Sequence, residues 1–398
     1  MADRTGFSGV VRVDRSGSIE LAKAYGPADR GHEISNTIDT QFAIASGTKG
    51  LTALAVVSLI EDGSLDLATP ARSRLGGDLP LIRDDVTIEH LLSHRSGIGD
   101  YLDEEAHHEI TDYVMPVPVH ELATTEQYLA VLGGHPTIFP PGERFAYCNS
   151  GYVVLALIAE RASCIEFHEL VRRRVCEPAG MGDTEFLRSD DLPRRAALGY
   201  LTVDGSRTNV SHLPVRGSGD GGIYSTAADI SSLWSAFFAG RIVSRDWVAE
   251  MVRPRSDVPR ESKRCGLGFW LHASSDVVML EGRDAGVSFR STHDPASTTT
   301  HTVISNTSDG RMADRGPPRR AARNLSSSAR PRRMASRLES RSVENSTARS
   351  SLGCRARKGP VLTSKKEGHH EVHAADLPRR AGRGEGLSSR HAEGRRRL

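Results

Sequence analysis

Over the first 25 residues, apolar and polar positions alternate in two short runs. Residues 7–12 (Phe-Ser-Gly-Val-Val-Arg) and 18–24 (Ser-Ile-Glu-Leu-Ala-Lys-Ala) predict two strands, joined by a turn at Asp14-Arg15-Ser16-Gly17. From Ser46 to Glu61 the period lengthens, with Ala, Leu, Val and Ile at helical spacing until Asp62-Gly63 supplies a C-terminal cap. Thr87 ahead of Ile88-Glu89-His90-Leu91-Leu92 predicts a short capped helix. Another helix starts at Asn149 and runs through Val153, Val154, Leu157 and Ile158, and residues 164–175 continue in the same style. Thr226-Ala227-Ala228-Asp229 has the spacing of a capping box before an apolar run ending at Gly240, with an acid in place of the usual Glu or Gln. Residues 265–273, 276–280, 286–291 and 298–305 predict successive strands, the last two separated by a turn at Asp294-Pro295 and Ser297. Strands at both ends with mostly helical sequence between them predict an α/β protein of the α+β kind. One sheet is assembled from distant segments, beside a mainly helical subdomain over about 68–210.

The pattern stops at Gly310, and composition changes with it. Residues 1–310 carry 29 Lys and Arg against 42 Asp and Glu, whereas residues 311–398 carry 20 Arg and 3 Lys against 8 acids, with no Phe, Trp or Tyr. The whole-chain net charge of +2 is therefore a cancellation between unlike segments and says nothing about partners. The tail cannot bury enough apolar surface to offset its ordering entropy and is expected to be disordered. The chain thus divides into 1–310, a folded domain, and 311–398, a basic tail. The start, Met1-Ala2-Asp3-Arg4-Thr5-Gly6-Phe7, lacks a basic and apolar leader, and no uncharged apolar stretch reaches membrane-spanning length. Five scattered cysteines (148, 164, 176, 265 and 354) fit free thiols in a reducing compartment. A cytoplasmic protein without a membrane span is expected, and an exported relative that has lost its leader stays open as the alternative.

The chemistry-bearing stretch is Phe42-Ala43-Ile44-Ala45-Ser46-Gly47-Thr48-Lys49, just ahead of the apolar helix. If Ser46 lies in the first helical turn, Lys49 shares its face. A serine hydroxyl needs a neighbouring base to become a nucleophile, and a lysine serves if burial and nearby positive potential lower its pKa. Alone, Ser-x-x-Lys recurs by chance and reads equally well as a helix cap with an exposed lysine. Four further stretches accompany it in order: His90-Leu91-Leu92-Ser93-His94-Arg95-Ser96-Gly97-Ile98; Tyr147-Cys148-Asn149 after Pro141-Gly142-Glu143-Arg144-Phe145; Gly221-Gly222-Ile223-Tyr224-Ser225-Thr226-Ala227-Ala228-Asp229; and Cys265-Gly266-Leu267-Gly268-Phe269-Trp270.

With these landmarks, residues 7–310 resemble the serine beta-lactamase and penicillin-binding-protein superfamily, nearest to its class C-like branch of esterases and D-aminopeptidases. The resemblance implies a beta-lactamase/transpeptidase-like fold, an antiparallel sheet flanked by helices. It implies that Ser46 is acylated, that Lys49 and Tyr147 share proton transfer, and that Asn149 orients Lys49 and the substrate carbonyl. A lysine cation close to the Tyr147 phenol would favour its phenolate form. The backbone amides of Ser46 and Arg283 would form the oxyanion hole. His94 and His90 are expected to be structural. The third family element, usually Lys-Thr-Gly or His-x-Gly, falls at Leu280-Glu281-Gly282, where the glycine survives but leucine replaces the basic side chain. Binding of a substrate carboxylate is then in question, and Arg283 reads either as a replacement cation or as a solvated turn residue.

The expected reaction is hydrolysis of an ester or amide through an acyl-enzyme on Ser46, with a small-molecule or peptide-like substrate that could include a beta-lactam or a D-amino-acid peptide. No metal or organic cofactor is expected, and the oligomeric state stays open. The rivals are a catalytically impaired binding or regulatory relative, and a nucleic-acid-binding arm in the tail. Nucleic acid is not the expected partner, because a frameshift explains more of the tail than selection for charge does. Arg outnumbers Lys 20 to 3 beyond residue 310. Met312-Ala313 is encoded ATG-GCN, which read one base later begins with TGG for tryptophan, and the family often continues with Trp-Pro at this point. The family's C-terminal helix, which covers the sheet, would be lost with the frame. Resequencing across codon 311 should reveal one base too many or too few; an unchanged base count, confirmed in the transcript, would reject the frameshift.

Overall fold

The N-terminal alternation folds as a hairpin. Its turn residues Ser16 and Gly17 adopt φ of +49° and +80°, a region that suits a tight connection between twisted strands. The computed structural model describes residues 6–102 and 110–310, so the readings of the tail lie outside the described residues. In chain order the strands are β1 (Gly9–Arg15), β2 (Ser18–Tyr25), β3 (Pro27–Asp29), β4 (Ile34–Ser35), β5 (Phe42–Ala43), β6 (Tyr224–Ser225), β7 (Ser256–Val258), β8 (Lys263–Cys265), β9 (Trp270–His272), β10 (Val278–Asp284), β11 (Val287–Asp294) and β12 (Thr299–Ser305). Eight of them make one sheet in the order β2-β1-β12-β11-β10-β9-β8-β7, with antiparallel neighbours throughout. β1 pairs with β12 from Gly9 opposite Ser305 to Arg15 opposite Thr299, so distant segments of the chain meet inside the sheet as expected.

The helices are α1 (Thr48–Glu61), α2 (Arg72–Leu75), α3 (Ile88–Leu92), α4 (Leu129–Leu132), α5 (Asn149–Ser163), α6 (Phe167–Val171), α7 (Glu177–Ala179), α8 (Ala227–Phe238) and α9 (Arg245–Met251). Every residue of α1 from Thr48 to Ile60 is buried, so this helix runs through the core rather than along its surface. Leu91 of α3, Val154 and Leu157 of α5, and Ile230 and Phe237 of α8 are buried in the same apolar cluster. The Trp234 indole of α8 donates to Ser291 Oγ of β11 at 2.8 Å, tying that helix to the sheet. None of the described helices is long and apolar enough to cross a membrane.

Local chemistry explains where the elements depart from the sequence pattern. Residues 265–273 are not one strand, because the chain turns at Gly266–Gly268, where Gly268 takes φ +82° against the Ala53 side chain. Thr226 Oγ1 does accept from the Asp229 amide at 3.1 Å, but the box is only half formed. The Asp229 carboxylate instead takes the Asp183 amide (2.8 Å) and the Thr184 hydroxyl (2.7 Å). The run 164–175 breaks at Cys164 (φ +56°), resumes as α6, and widens to a π-helical turn over Arg172–Cys176. Thr87 caps α3 as expected, with His90 Nδ1 returning the contact.

Leu54 lies at the centre of α1 with no solvent exposure. Leu54→Ala should lower the unfolding free energy by about 2–5 kcal/mol, read as a drop in the urea midpoint with little change in slope.

Candidate active site

Ser46 does not lie in the first turn of the α-helix. It occupies a 3₁₀ turn, Ala45–Gly47, that leads directly into α1. The residue before it, Ala45, is held at φ +46°, a conformation that ordinarily disfavours a side chain and that persists only where the surroundings enforce it. The enforcement is visible on two sides. Thr48 Oγ1 donates to the Ala45 carbonyl at 2.7 Å and accepts from the Ile223 amide at 3.2 Å, while the Ile44 amide donates to the Ile223 carbonyl at 3.0 Å. On the other side β10 runs so close that a Cβ on Gly282 would sit 2.2 Å from the Ile44 carbonyl and 2.8 Å from the Ser46 amide. Glycine at 282 is therefore a steric requirement, and it brings the Gly282–Arg283 backbone alongside Ser46.

Lys49 is buried, 4% exposed, and its amine meets three oxygens. Ser46 Oγ is 2.9 Å away, Asn149 Oδ1 is 2.8 Å away and the Asp220 backbone carbonyl is 2.6 Å away. The Asn149 amide is oriented by its own NH₂, which donates to the Leu102 carbonyl at 3.1 Å. Asn149 begins α5, and its backbone amide donates to Asp100 Oδ2 at 2.7 Å while Ser150 donates to Asp100 Oδ1. Tyr101, the next residue, donates its hydroxyl to Asp220 Oδ2 at 2.5 Å. One dipeptide, Asp100-Tyr101, thus anchors two of the three residues whose oxygens meet the lysine. Burial raises the Asp100 and Asp220 carboxyls above the usual range, opposed at Asp100 by the amides it accepts from and at Asp220 by Lys49 and Tyr101.

Tyr147 reaches the same centre. The Lys49 amine lies 5.0 Å from its ring centroid. The ring stacks on His94 at 4.6 Å and on Trp270 at 6.0 Å, and these two rings hold its direction. His94 is fully enclosed. Burial, reinforced by the Lys49 charge, pushes its pKa down to about 3, so it is neutral at physiological pH. Its Nδ1 accepts from the Cys148 amide at 3.1 Å, which places the ring proton on Nε2. It supports Tyr147 and has no hydrogen bond to Ser46 among those described.

Leu280 is 2% exposed and faces Gly50 of α1, where an added methyl group would come within 2.5 Å of Leu280 Cδ2. It brings no charge to the site. Glu281 is also largely buried and pairs with Lys263 Nζ at 2.6 Å and with Arg290 Nε at 3.2 Å. Arg283 donates to the Ser308 carbonyl at 3.3 Å and to Asp309 at 3.2 Å, half-buried at the rim of a cavity. Two cavities meet at Ser46. One, of about 150 Å³, is lined largely by apolar groups, among them Tyr101, Met115, Leu187, Leu213 and Tyr224. The other, of about 20 Å³, lies against Lys49, Tyr147 and Glu281. Among the described residues, no group of three or more His, Cys, Asp or Glu side chains is arranged to hold a metal ion.

Ser46, Lys49, Tyr147, Asn149 and Gly282 therefore converge, while Leu280 and Glu281 form the adjoining wall. Sequence reasoning missed Asp100, Tyr101, Asp220 and Lys263. A signal was present for three of them: Asp100 and Tyr101 follow closely on the His90–Ile98 stretch, and Asp220 directly precedes Gly221-Gly222. Lys263 carries no such signal, because only the pairing of β8 with β9 and the fold of β10 bring it to Glu281.

Comparison with known proteins gives this arrangement its relatives. A family model described as Beta-lactamase matches residues 1–330. The crystal structure of a penicillin-binding protein from Bacillus halodurans superposes with a TM-score of 0.73 at 34% identity, covering 78% of this chain and 95% of that one. The D-amino acid amidase from Ochrobactrum anthropi SV3, solved with L-phenylalanine amide, superposes at 0.63 with 26% identity, covering 77% and 88% of the two chains. Esterase EstB from Burkholderia gladioli is 32% identical over 206 residues, 50% of this chain and 52% of the esterase. The chain spans 63% and 45% of the length of two Bacillus subtilis relatives, so it matches only part of these curated proteins.

The enclosure of His94 has a consequence for stability. As pH falls below the ordinary histidine value of 6.5, the unfolded chain takes up a proton that the folded state refuses until about pH 3. Stability contributed by neutral His94 should be intact above pH 6.5 and decline between pH 6.5 and 3. Thermal unfolding followed from pH 7 to pH 4 should show a steeper loss for the wild type than for His94→Asn, each measured against its own pH 7 midpoint. Parallel curves would reject the assignment.

Proposed function

Because the chain belongs to the beta-lactamase family, in the esterase- and D-amino-acid-amidase-like branch of the penicillin-binding superfamily, we propose that it hydrolyses an ester or amide through an acyl-enzyme on Ser46. The observation that carries this reading is the set of oxygens around Lys49. Two of them, the Asp220 carbonyl and Asn149 Oδ1, can only accept. In the form that acts as a base, the Lys49 amine donates to these two acceptors and turns its lone pair to the Ser46 hydroxyl, 2.9 Å away. The oxygens that hold the lysine thereby aim it as a base.

In the first step Ser46 Oγ attacks the substrate carbonyl carbon and its proton passes to Lys49. Tyr147, stacked on His94 and on Trp270, relays that proton to the leaving group. The Ser46 amide and the Arg283 amide receive the developing oxyanion, the second brought near by the close approach that Gly282 permits. In the second step water attacks the acyl carbon and Ser46 is released. The larger cavity, with its apolar walls of about 150 Å³, accommodates the body of a small-molecule or peptide-like substrate. Leu280 supplies no cation for a substrate carboxylate, and the Arg283 guanidinium already engages Asp309. Neutral esters and amides are therefore favoured over carboxylate-bearing beta-lactams.

A fluorophosphonate probe and nitrophenyl acetate should both modify Ser46, located by peptide mass spectrometry. Ser46→Ala should abolish the adduct, and Lys49→Ala should slow acylation by roughly 10²–10⁴-fold. A folded wild-type protein that takes up neither reagent at Ser46 would overturn the proposal.

A further inference from the structure

The two cavities that share Ser46 have volumes of about 150 Å³ and about 20 Å³, and the smaller one has a distinct chemistry. Its volume of about 20 Å³ is room for one water molecule and little else. Among its walls are Ser46, Lys49, Tyr147, Leu280 and Glu281. Leu280 packs back onto Gly50 and does not fill it with a long basic side chain. Glu281 is held by cations from both neighbouring directions, Lys263 of β8 at 2.6 Å and Arg290 of β11 at 3.2 Å. Lys263 is itself fixed, 8% exposed, with its amine 4.8 Å from the centroid of the Trp270 ring that stacks on Tyr147. The Glu281 carboxylate thus stands in the wall of the small cavity between two cations, and a carboxylate oxygen is an acceptor for a water hydrogen.

We propose that the small cavity is the seat of the hydrolytic water, and that Glu281 is the positioning residue that orients it toward the acyl carbon on Ser46. The inference rests on the acyl-enzyme reading and adds a division of labour to it. The acyl group occupies the large cavity, and the water waits in the small one against Tyr147, Lys49 and Glu281. The water oxygen bonds to the acyl carbon and the carbon–oxygen bond to Ser46 breaks. One water proton returns to Ser46 Oγ through the Lys49–Tyr147 pair, and the carboxylic acid leaves. Because the cavity admits little beyond water, transfer to larger acceptors is suppressed and hydrolysis prevails.

The test separates the two steps. Acyl-enzyme is formed with excess nitrophenyl acetate, desalted, and its decay followed by intact-protein mass, while the first turnover of nitrophenolate reports acylation. In Glu281→Gln, which preserves the shape, decay should slow about tenfold more than acylation does. In Leu280→Ala, which enlarges the cavity, added methanol should capture a several-fold larger share of the acetyl group as methyl acetate. Both results together support the inference. If Glu281→Gln decays like the wild type, slows both steps equally, or if Leu280→Ala leaves the methanol share unchanged, the inference fails while the acyl-enzyme stands. If the wild type forms no acyl adduct, the acyl-enzyme reading fails, and the inference falls with it.

Discussion

A lysine inside a helix buried on every side must find oxygen for each of its hydrogens, and this requirement organises the centre of the molecule. Burying an unpaired cation costs several kcal/mol, so α1 can carry Lys49 only where other segments bring acceptors to it. Asn149 comes from the start of α5 and the Asp220 carbonyl from the chain ahead of β6, and Asp100-Tyr101 ties down both. The third oxygen is the Ser46 hydroxyl. Holding the buried amine and aiming it at the serine are consequently one arrangement.

Much of the architecture could be read along the chain because the periods are strong where packing is two-sided. The N-terminal hairpin, α1, the Thr87 cap and α5 stand where the apolar pattern puts them, and the two ends of the folded region meet through β1 and β12. What escaped was set by single contacts. A glycine-permitted turn divides the stretch after Cys265, and Asp229 turns its carboxylate away from its own helix because Asp183 and Thr184 offer donors. The site was legible as residue types in order. Its geometry was not: that Ser46 sits in a 3₁₀ turn behind a residue with positive φ follows from the close passage of β10 and from Thr48, neither of which a local pattern reveals.

The third motif shows how one position can join the core while its neighbour carries the charge of the wall. Gly282 is retained because any side chain there would collide with the Ile44 carbonyl. Leu280 carries no such demand for charge; in that position an apolar group simply joins the core against Gly50. Charge reappears one residue on, in Glu281, and is balanced from other strands by Lys263 and Arg290. The electrostatic character of this wall is thus a property of three strands rather than of a short motif.

The wide spacing of the lysine's partners along the chain has one more consequence. Residues 46, 49, 149 and 220 come from segments that meet only when α1, α5 and the chain before β6 are all in place. A fragment that lacks any one of these segments cannot retain the centre, and a partly opened molecule has no reduced form of it to fall back on. The assembled centre is in this sense a count of intact molecules, and its loss on heating should trace the same cooperative transition as loss of the fold.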